Sequence, residues 1–364
     1  MQKKGTVIAV LALTILVGAW AGAAPPNNVV GYNRIEVPAD SDVVVSVPFN
    51  LNPKGSYTVV TVTGTGVTAA AGSFPDPLGG ACYVRFTSGN ANGLWTTITS
   101  NTTDTLVFDN QDAAFLSKIA NGNTFAVYPH QTLGSVLPKK LEEFAFVASP
   151  DATLGNRKTE VLLPSEADGI NKSATATYYY LKWNHPVLGL LEGWREHGQS
   201  VMVDKGGVIV KPDSYVILRN NGSKKLTFIL KGLVPIGKIG SKVSTKAVQY
   251  DLNFATGRPL PVTLNKLGLE PVFAQSSTAG LPDRKDELLV FDNTDGKKNK
   301  SAAKTYYYLN WNHPTLGLLK GWREHGTDVR EDKGNVEITP SQGLIIRKAA
   351  GTPADQYYTQ SAPY

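Results

Sequence analysis

Hydrophobic and polar positions alternate along this chain in short runs, mostly with a period of two. Between Val29 and His130 the runs 43–47, 57–63, 82–87, 94–98, 105–108 and 124–128 are rich in β-branched and aromatic residues, and Gly, Pro, Asn and Asp separate them. Such side chains suit a pleated, half-buried surface, and such breakers suit turns. The pattern predicts an N-terminal β domain, sandwich-like or barrel-like, over residues 24–130. Helical spacing occurs best at 112–119, where Phe115, Leu116 and Ile119 share a face, Asp112 stands at the N-cap and Asn121-Gly122 closes the segment.

Beyond His130 the pattern repeats. Leu133, Leu137, Lys139, Glu143 and Phe146 return as Leu260, Leu264, Lys266, Glu270 and Phe273 at an offset of 127, and one extra residue near Lys297 or Lys298 raises the offset to 128. The match is densest where residues 178–198 meet 306–326: 18 of 21 positions are identical, against eight in the next 21. Only Lys182/Asn310, Val187/Thr315 and Glu192/Lys320 differ. Two copies are too few for a solenoid. The expected order is therefore β repeat unit 1 at 131–219, a connecting segment at 220–257, β repeat unit 2 at 258–347 and a polar tail at 348–364. The fold class is mainly β.

The first 23 residues stand apart from that fold. Lys3 and Lys4, an apolar run at 7–20 and Ala21-Gly22-Ala23 form the pattern of a secretory signal peptide, with a run shorter than the ~20 residues of a membrane span. Export implies an extracellular or cell-surface location, or the periplasm. Without residues 1–23 the chain has 34 basic and 30 acidic side chains, so its charge falls from +6 to +4. That dispersed excess gives no footprint for nucleic acid. Cys82 is the only cysteine, which excludes an intrachain disulfide; its place in a strand pattern makes it a small core residue rather than a reactive thiol.

Several short motifs carry a resemblance. Tyr83-Val84-Arg85-Phe86-Thr87-Ser88-Gly89, Gly93-Leu94-Trp95, Thr132-Leu133-Gly134, Leu154-Gly155-Asn156-Arg157, the triple Tyr, Gly-Trp-Arg and the closing Ile-x-Arg are similar to those of a family of uncharacterised secreted proteins of Verrucomicrobia-type bacteria. The resemblance covers most of the chain after residue 23. It implies export and a Gly-rich, strand-rich fold, and it implies no catalytic residue, ligand or cofactor. The Trp-Asn-His-Pro element and Leu-Gly-Leu-Leu loop lengthen the family's usual spacing from the Tyr cluster to Gly-Trp-Arg.

In a strand, Tyr179, Leu181 and Trp183 lie on one face, and Tyr178, Tyr180 and Lys182 on the other. The Lys182/Asn310 difference falls on the second face, so the first is expected to be core and the second wet. Asn184-His185-Pro186 reads as a turn and 193–197 as the returning strand. The sharpest ligand reading is a glycan site in each copy: Tyr178, Tyr180 and Trp194 offering flat rings, Arg195 and His197 bonding hydroxyls, with Tyr306, Tyr308, Trp322, Arg323 and His325 as counterparts. The opposing reading makes Trp183 and Trp194 core anchors and the tyrosines packing pairs. Metal binding through His185, Glu196 and His197, or His313, Glu324 and His325, matches no standard ligand spacing; those histidines also suit turn caps. Glu196/Glu324 and Asp204/Asp332 are the repeated carboxylates near the motif, and no nucleophile elbow, phosphate loop or zinc-protease motif accompanies them. Arg157, Glu160, Arg219 and their counterparts read as surface ion pairs or as covers of strand edges.

These readings converge on an exported, non-catalytic structural or interaction protein of the bacterial cell surface, with no catalytic residue, metal or cofactor. The alternative is an extracellular glycan-binding protein with one aromatic patch per repeat. The expected partners are a cell-surface polysaccharide or further copies of the chain, with no nucleic acid and no transmembrane segment after the signal peptide.

Overall fold

The computed structural model describes residues 29–137 and 147–362. The signal-peptide segment and the repeat matches at Lys139, Glu143 and Phe146 lie outside them. The fold is mainly β, with 43% strand and 6% helix.

Residues 55–129 form a seven-stranded antiparallel sheet curled into a half-barrel, in the order Gly55–Thr58, Thr124–Pro129, Cys82–Phe86, Trp95–Asn101, Thr105–Phe108, Gly66–Thr68, Thr61–Val62. Its concave side is filled by Phe86, Phe108, Phe115 and Phe125, whose rings meet edge-on or tilted. Cys82 is buried among them. The segment with helical spacing forms a single turn, Ala113–Leu116, which seats Phe115 in this core. Asp112 takes the N-cap position without a capping bond, because its carboxylate accepts instead from Lys242 and Tyr357.

Each repeat builds a five-stranded antiparallel sheet. In the first unit the order is Gly189–Glu196, Ala174–His185, Thr159–Pro164, Tyr215–Asn220, Ser41–Ser46. The second unit reproduces it as Gly317–Glu324, Lys304–His313, Glu287–Val290, Gly343–Lys348, Tyr250–Ala255. Each unit adds a two-stranded ribbon, Val30–Val37 with Leu226–Leu233 and Ile239–Lys242 with Tyr357–Gln360.

This pairing runs across the boundaries drawn from the sequence. Val30–Val37 and Ser41–Ser46 precede the half-barrel yet belong to the first unit, so the half-barrel is inserted between two strands of that unit. Segment 220–257 carries a ribbon strand of each unit and the fifth strand of the second sheet, so it is no mere connector. The polar tail contains Tyr357–Gln360, and Tyr358, 4% exposed, sits in the second core. Aligned by register, the flanking strands share little beyond Gly31/Gly237, Val37/Val243 and Asp42/Asp251. Edge pairing is satisfied by backbone groups, so it leaves few marks in the side-chain sequence.

The two units clasp each other reciprocally. Asp42, buried, accepts two bonds from Arg219 at 2.8 Å and one from the backbone N–H of Asn299 at 2.8 Å, while Arg219 donates to Asn299 Oδ1 at 2.6 Å. In the mirror arrangement Asp251 accepts from Arg347 at 2.8 and 3.0 Å and from Asn171 N–H at 2.7 Å, and Arg347 donates to Asn171 Oδ1 at 2.7 Å. Asn171 and Asn299 share a left-handed φ of 52°, a conformation Asn tolerates better than most residues. Each unit thus supplies a loop, following its Asp-Gly turn, that completes an Asp–Arg pair on the other. Arg219 is therefore no simple surface ion pair. Near the centre of this quasi-twofold arrangement Gly343 abuts Tyr215, its counterpart in the first unit; a Cβ on Gly343 would lie 2.5 Å from the Tyr215 Cβ.

Candidate functional site

The repeated stretch forms the outer hairpin of each sheet. Ala174–His185 pairs with Gly189–Glu196 so that Tyr180 faces Trp194 and Tyr179 faces Arg195; Tyr308 faces Trp322 and Tyr307 faces Arg323 in the second copy. Directly opposed residues share a face, so Tyr178, Tyr180 and Trp194 lie together.

That face is core, which corrects the expectation that it is wet, while Tyr179 and Leu181 on the other face are buried as expected. Tyr178, Tyr180 and Trp194 are 6%, 5% and 2% exposed and pack with Leu133, Val161, Val210 and Leu218. Tyr180 meets Trp194 edge-on at 5.6 Å, and Tyr308 meets Trp322 at 5.5 Å. Such geometry adds about 0.5–1.5 kcal/mol to area burial. Burial pushes the Tyr180 and Tyr306 hydroxyls up to about 12. Tyr306, Tyr308 and Trp322 are equally buried. No aromatic platform is left for a sugar at these six rings.

The opposite face is covered as well. Tyr179, Leu181 and Leu191 form a small cluster with Ala152, Trp183 and Val201, beneath the loop around Ser149. That loop is pinned by Ser149 N–H donating to Tyr180 O at 2.7 Å and Lys182 N–H donating to Ser149 O at 3.0 Å. Arg157, 6% exposed, lies 4.5 Å above the Tyr179 ring and donates to His197 Nδ1 at 2.9 Å, with Glu160 at 3.6 Å. Arg157 and Glu160 are thus buried, not surface, charges; a guanidinium over a ring is the favourable cation–π placement.

Arg195 and Arg323 are clamps rather than ligand donors. Arg195, 4% exposed, bonds Val201 O, Trp194 O and Asp204 Oδ1, holding the 199–206 loop against the outer strand. Arg323 repeats this with Val329 O, Trp322 O and Asp332 Oδ1. Gly193 and Gly321 explain the first letter of Gly-Trp-Arg: φ is 127° and 123°, and a Cβ would meet Asp204 Oδ1 at 2.4 Å or Asp332 Oδ1 at 2.7 Å.

Of the named site residues His197 and His325 remain exposed. They lie at one end of their hairpins, whereas His185 and His313 lie at the tips. His185 Nδ1 accepts from the N–H groups of Val187 and Leu188, both at 3.1 Å, and His313 Nδ1 from Thr315 and Leu316, both at 3.2 Å. Each tip histidine is a turn cap, which fixes Nε2 as its protonated nitrogen. The turn itself falls at 186–188, two residues past the expected start at Asn184.

What the core leaves unexplained is the tip. Val187, Leu188 and Leu190 are 84%, 46% and 57% exposed, and Leu316 and Leu318 are 45% and 61% exposed. Behind them Trp183 and Trp311 stand half-buried, each 4.4 Å from the histidine two residues on. Gly189 and Gly317, φ 75° and 76°, let the chain re-enter the outer strand. The Leu-Gly-Leu-Leu loop that lengthens the spacing from the Tyr cluster to Gly-Trp-Arg is this tip. Sequence reasoning also passed over the polar cleft around Trp95 and Lys211, because its residues come from five segments spread between Trp95 and Asp355. Among the described residues no helix is long and apolar enough to cross a membrane. No protein-family model, curated protein or solved structure matches this chain.

Proposed function

We propose that this is an exported, non-catalytic structural protein of the bacterial cell surface whose copies join end to end through their hairpin tips. The observation that carries the reading is that exposed Leu188 and Leu190 are kept as Leu316 and Leu318, although neither pair contributes to a core. Buried identities are accounted for by packing; exposed apolar identities call for a contact. The tips sit on the outermost strands of two sheets that meet at their other edges, so the molecule offers two separate contact points.

The differences between the tips favour unlike pairing. Glu192 on one outer strand corresponds to Lys320 on the other, so a first-unit tip meeting a neighbour's second-unit tip sets leucines against leucines and a carboxylate near an ammonium. The present bond of Lys320, to Glu270 at 3.4 Å, is half-exposed on both sides and readily exchanged. A contact between unlike surfaces is heterologous and builds an extended chain unless its rotation closes a ring.

Sedimentation velocity and electron microscopy on the chain from residue 24 onward test this. Concentration-dependent linear assemblies are expected, and the double variant Leu190→Ser, Leu318→Ser should remain monomeric with an unchanged melting temperature. A protein that stays monomeric at high concentration, or a double variant that assembles as before, ends the proposal.

A further inference from the structure

We infer that the cleft where the half-barrel meets the two repeat units binds a neutral carbohydrate chain, on the wall formed by Trp95 and the surrounding lysine–carboxylate pairs. This site is separate from the hairpin tips and does not depend on their role.

Three depressions of about 590, 860 and 380 Å³ adjoin here, and Lys211 lines all three. Volumes of this size at the junction of packed units are where ligand sites are usually found. The 590 Å³ cleft draws its walls from the half-barrel through Trp95, from the first unit through Glu166 and Lys211, and from the second through Lys242, Lys246 and Asp355.

Trp95 is half-buried and lines both this cleft and the 380 Å³ depression. Tyr83 and His130 hold it by edge-on contacts at 5.6 and 6.2 Å. A rigid indole offered to a polar cleft suits the apolar face of a sugar ring, whose hydroxyls then reach the surrounding polar groups.

Those groups come in both signs. Four lysines and four carboxylates line the cleft. Lys211 pairs with Glu166 at 2.7 Å, Lys242 with Asp355 at 2.9 Å and also with Asp112, Lys246 with Asp168, and Lys172 donates to Asp251 O at 2.8 Å. Burial pushes the Asp213 carboxyl above the usual carboxylate range, and Ser241 donates to it. A polyanion finds no uncompensated positive field here, since the lysines have carboxylate neighbours. A hydroxyl, donor and acceptor at once, can insert into such pairs and be bonded from both sides.

Isothermal titration of the protein from residue 24 onward with cellohexaose, xylohexaose, mannohexaose and chitohexaose, with hexagalacturonate as the anionic comparison, decides the matter. At least one neutral hexasaccharide should bind. Trp95→Ala and the half-exposed pair variant Lys211→Gln, Lys246→Gln should each weaken it by roughly tenfold or more, while Leu190→Ser, Leu318→Ser leaves it unchanged. The lysine variant carries the test if Trp95→Ala does not fold. Absence of binding by all four neutral probes, binding by the uronate alone, or affinity untouched by the cleft variants would overturn the inference. Because the tip variant is assayed alongside, a failure of assembly and a failure of carbohydrate binding are told apart.

Discussion

The two units solve the same buried position in different chemistry, which allows a measurement of what a buried ion pair contributes. In the second unit Lys348 and Asp286, 1% and 0% exposed, form an ion pair. Lys348 also donates to Val272 O at 2.8 Å; Asp286 accepts from the N–H groups of Ala274 and Ala349, both at 2.8 Å. The first unit places Asn220 and Thr159 there, each 1% exposed. Thr159 Oγ1 accepts from Val147 N–H, the counterpart of Ala274, at 3.0 Å. Asp286→Thr alone strands an ammonium in the core and should cost about 3–5 kcal/mol, as should Lys348→Asn for the carboxylate. In Asp286→Thr with Lys348→Asn both charges go and the threonine can take over the Ala274 N–H. What remains lost is chiefly the acceptor for Ala349 N–H, about 1–2 kcal/mol. Urea unfolding followed by tryptophan fluorescence at pH 7 gives all four corners of the cycle, and a coupling of at least about 3 kcal/mol is expected. If the double variant is destabilised by the sum of the singles, the repeat-derived reasoning is wrong.

The reciprocal clasp makes a crossed prediction. Asp42→Asn should cost about 3 kcal/mol and raise amide exchange in loop 292–300, while Asp251→Asn should cost a similar amount and loosen 165–172; loosening of each variant's own unit instead would refute the exchange of loops. Gly193→Ala and Gly321→Ala should each lose about 2 kcal/mol or more, by chemical denaturation, since both carry a strained φ and meet an aspartate, whereas Gly189→Ala, with open space around its Cβ, should lose about 1 kcal/mol; equal losses would count against the contact. Burial, aided by Lys211, pushes His130 down from 6.5 to about 4, so its contribution is intact above pH 6.5 and lost as the pH falls from there to about 4. The unfolded chain takes up the proton first, at a cost on the order of 3 kcal/mol. Melting temperatures of His130→Gln across that window should fall less steeply than those of the native protein, and parallel curves would assign the slope elsewhere.

The hydrophobic pattern determined a good deal by itself. Period-two runs identified strands 82–86, 105–108 and 124–129 to within a residue and 41–46 and 95–101 to within two or three, while the run 57–63 divides into strands 55–58 and 61–62, because a strand's alternation and its β-branched content are local properties. The duplication was equally plain, and its densest part proved to be the hairpin with the strictest demands: edge-on ring pairs, a buried arginine clamp and a glycine at which an added Cβ would collide with an aspartate. The positions of Trp194 and Glu196 on one face, and Arg195 and His197 on the other, also followed from alternation alone.

Tertiary structure decided what lies above each face. Alternation says that Tyr178 and Tyr180 share a side, but whether that side is wet depends on the Leu133 and Val210 segments folding over it. Likewise, Arg157 became an interior charge only through Tyr179 on a neighbouring strand, and Arg219 a partly buried one only through Asp42, distant in sequence. The insertion of the half-barrel between strands 41–46 and 131–132 was hidden for a related reason: a strand is recruited to a sheet edge by its backbone, and Asp42/Asp251 is the only identity its two versions share in that strand. Local periodicity is written in side chains. Pairing across hundreds of residues is settled by peptide groups that every residue carries, so the chain could announce its strands and its repeat, while only the folded molecule could say which strands belong together.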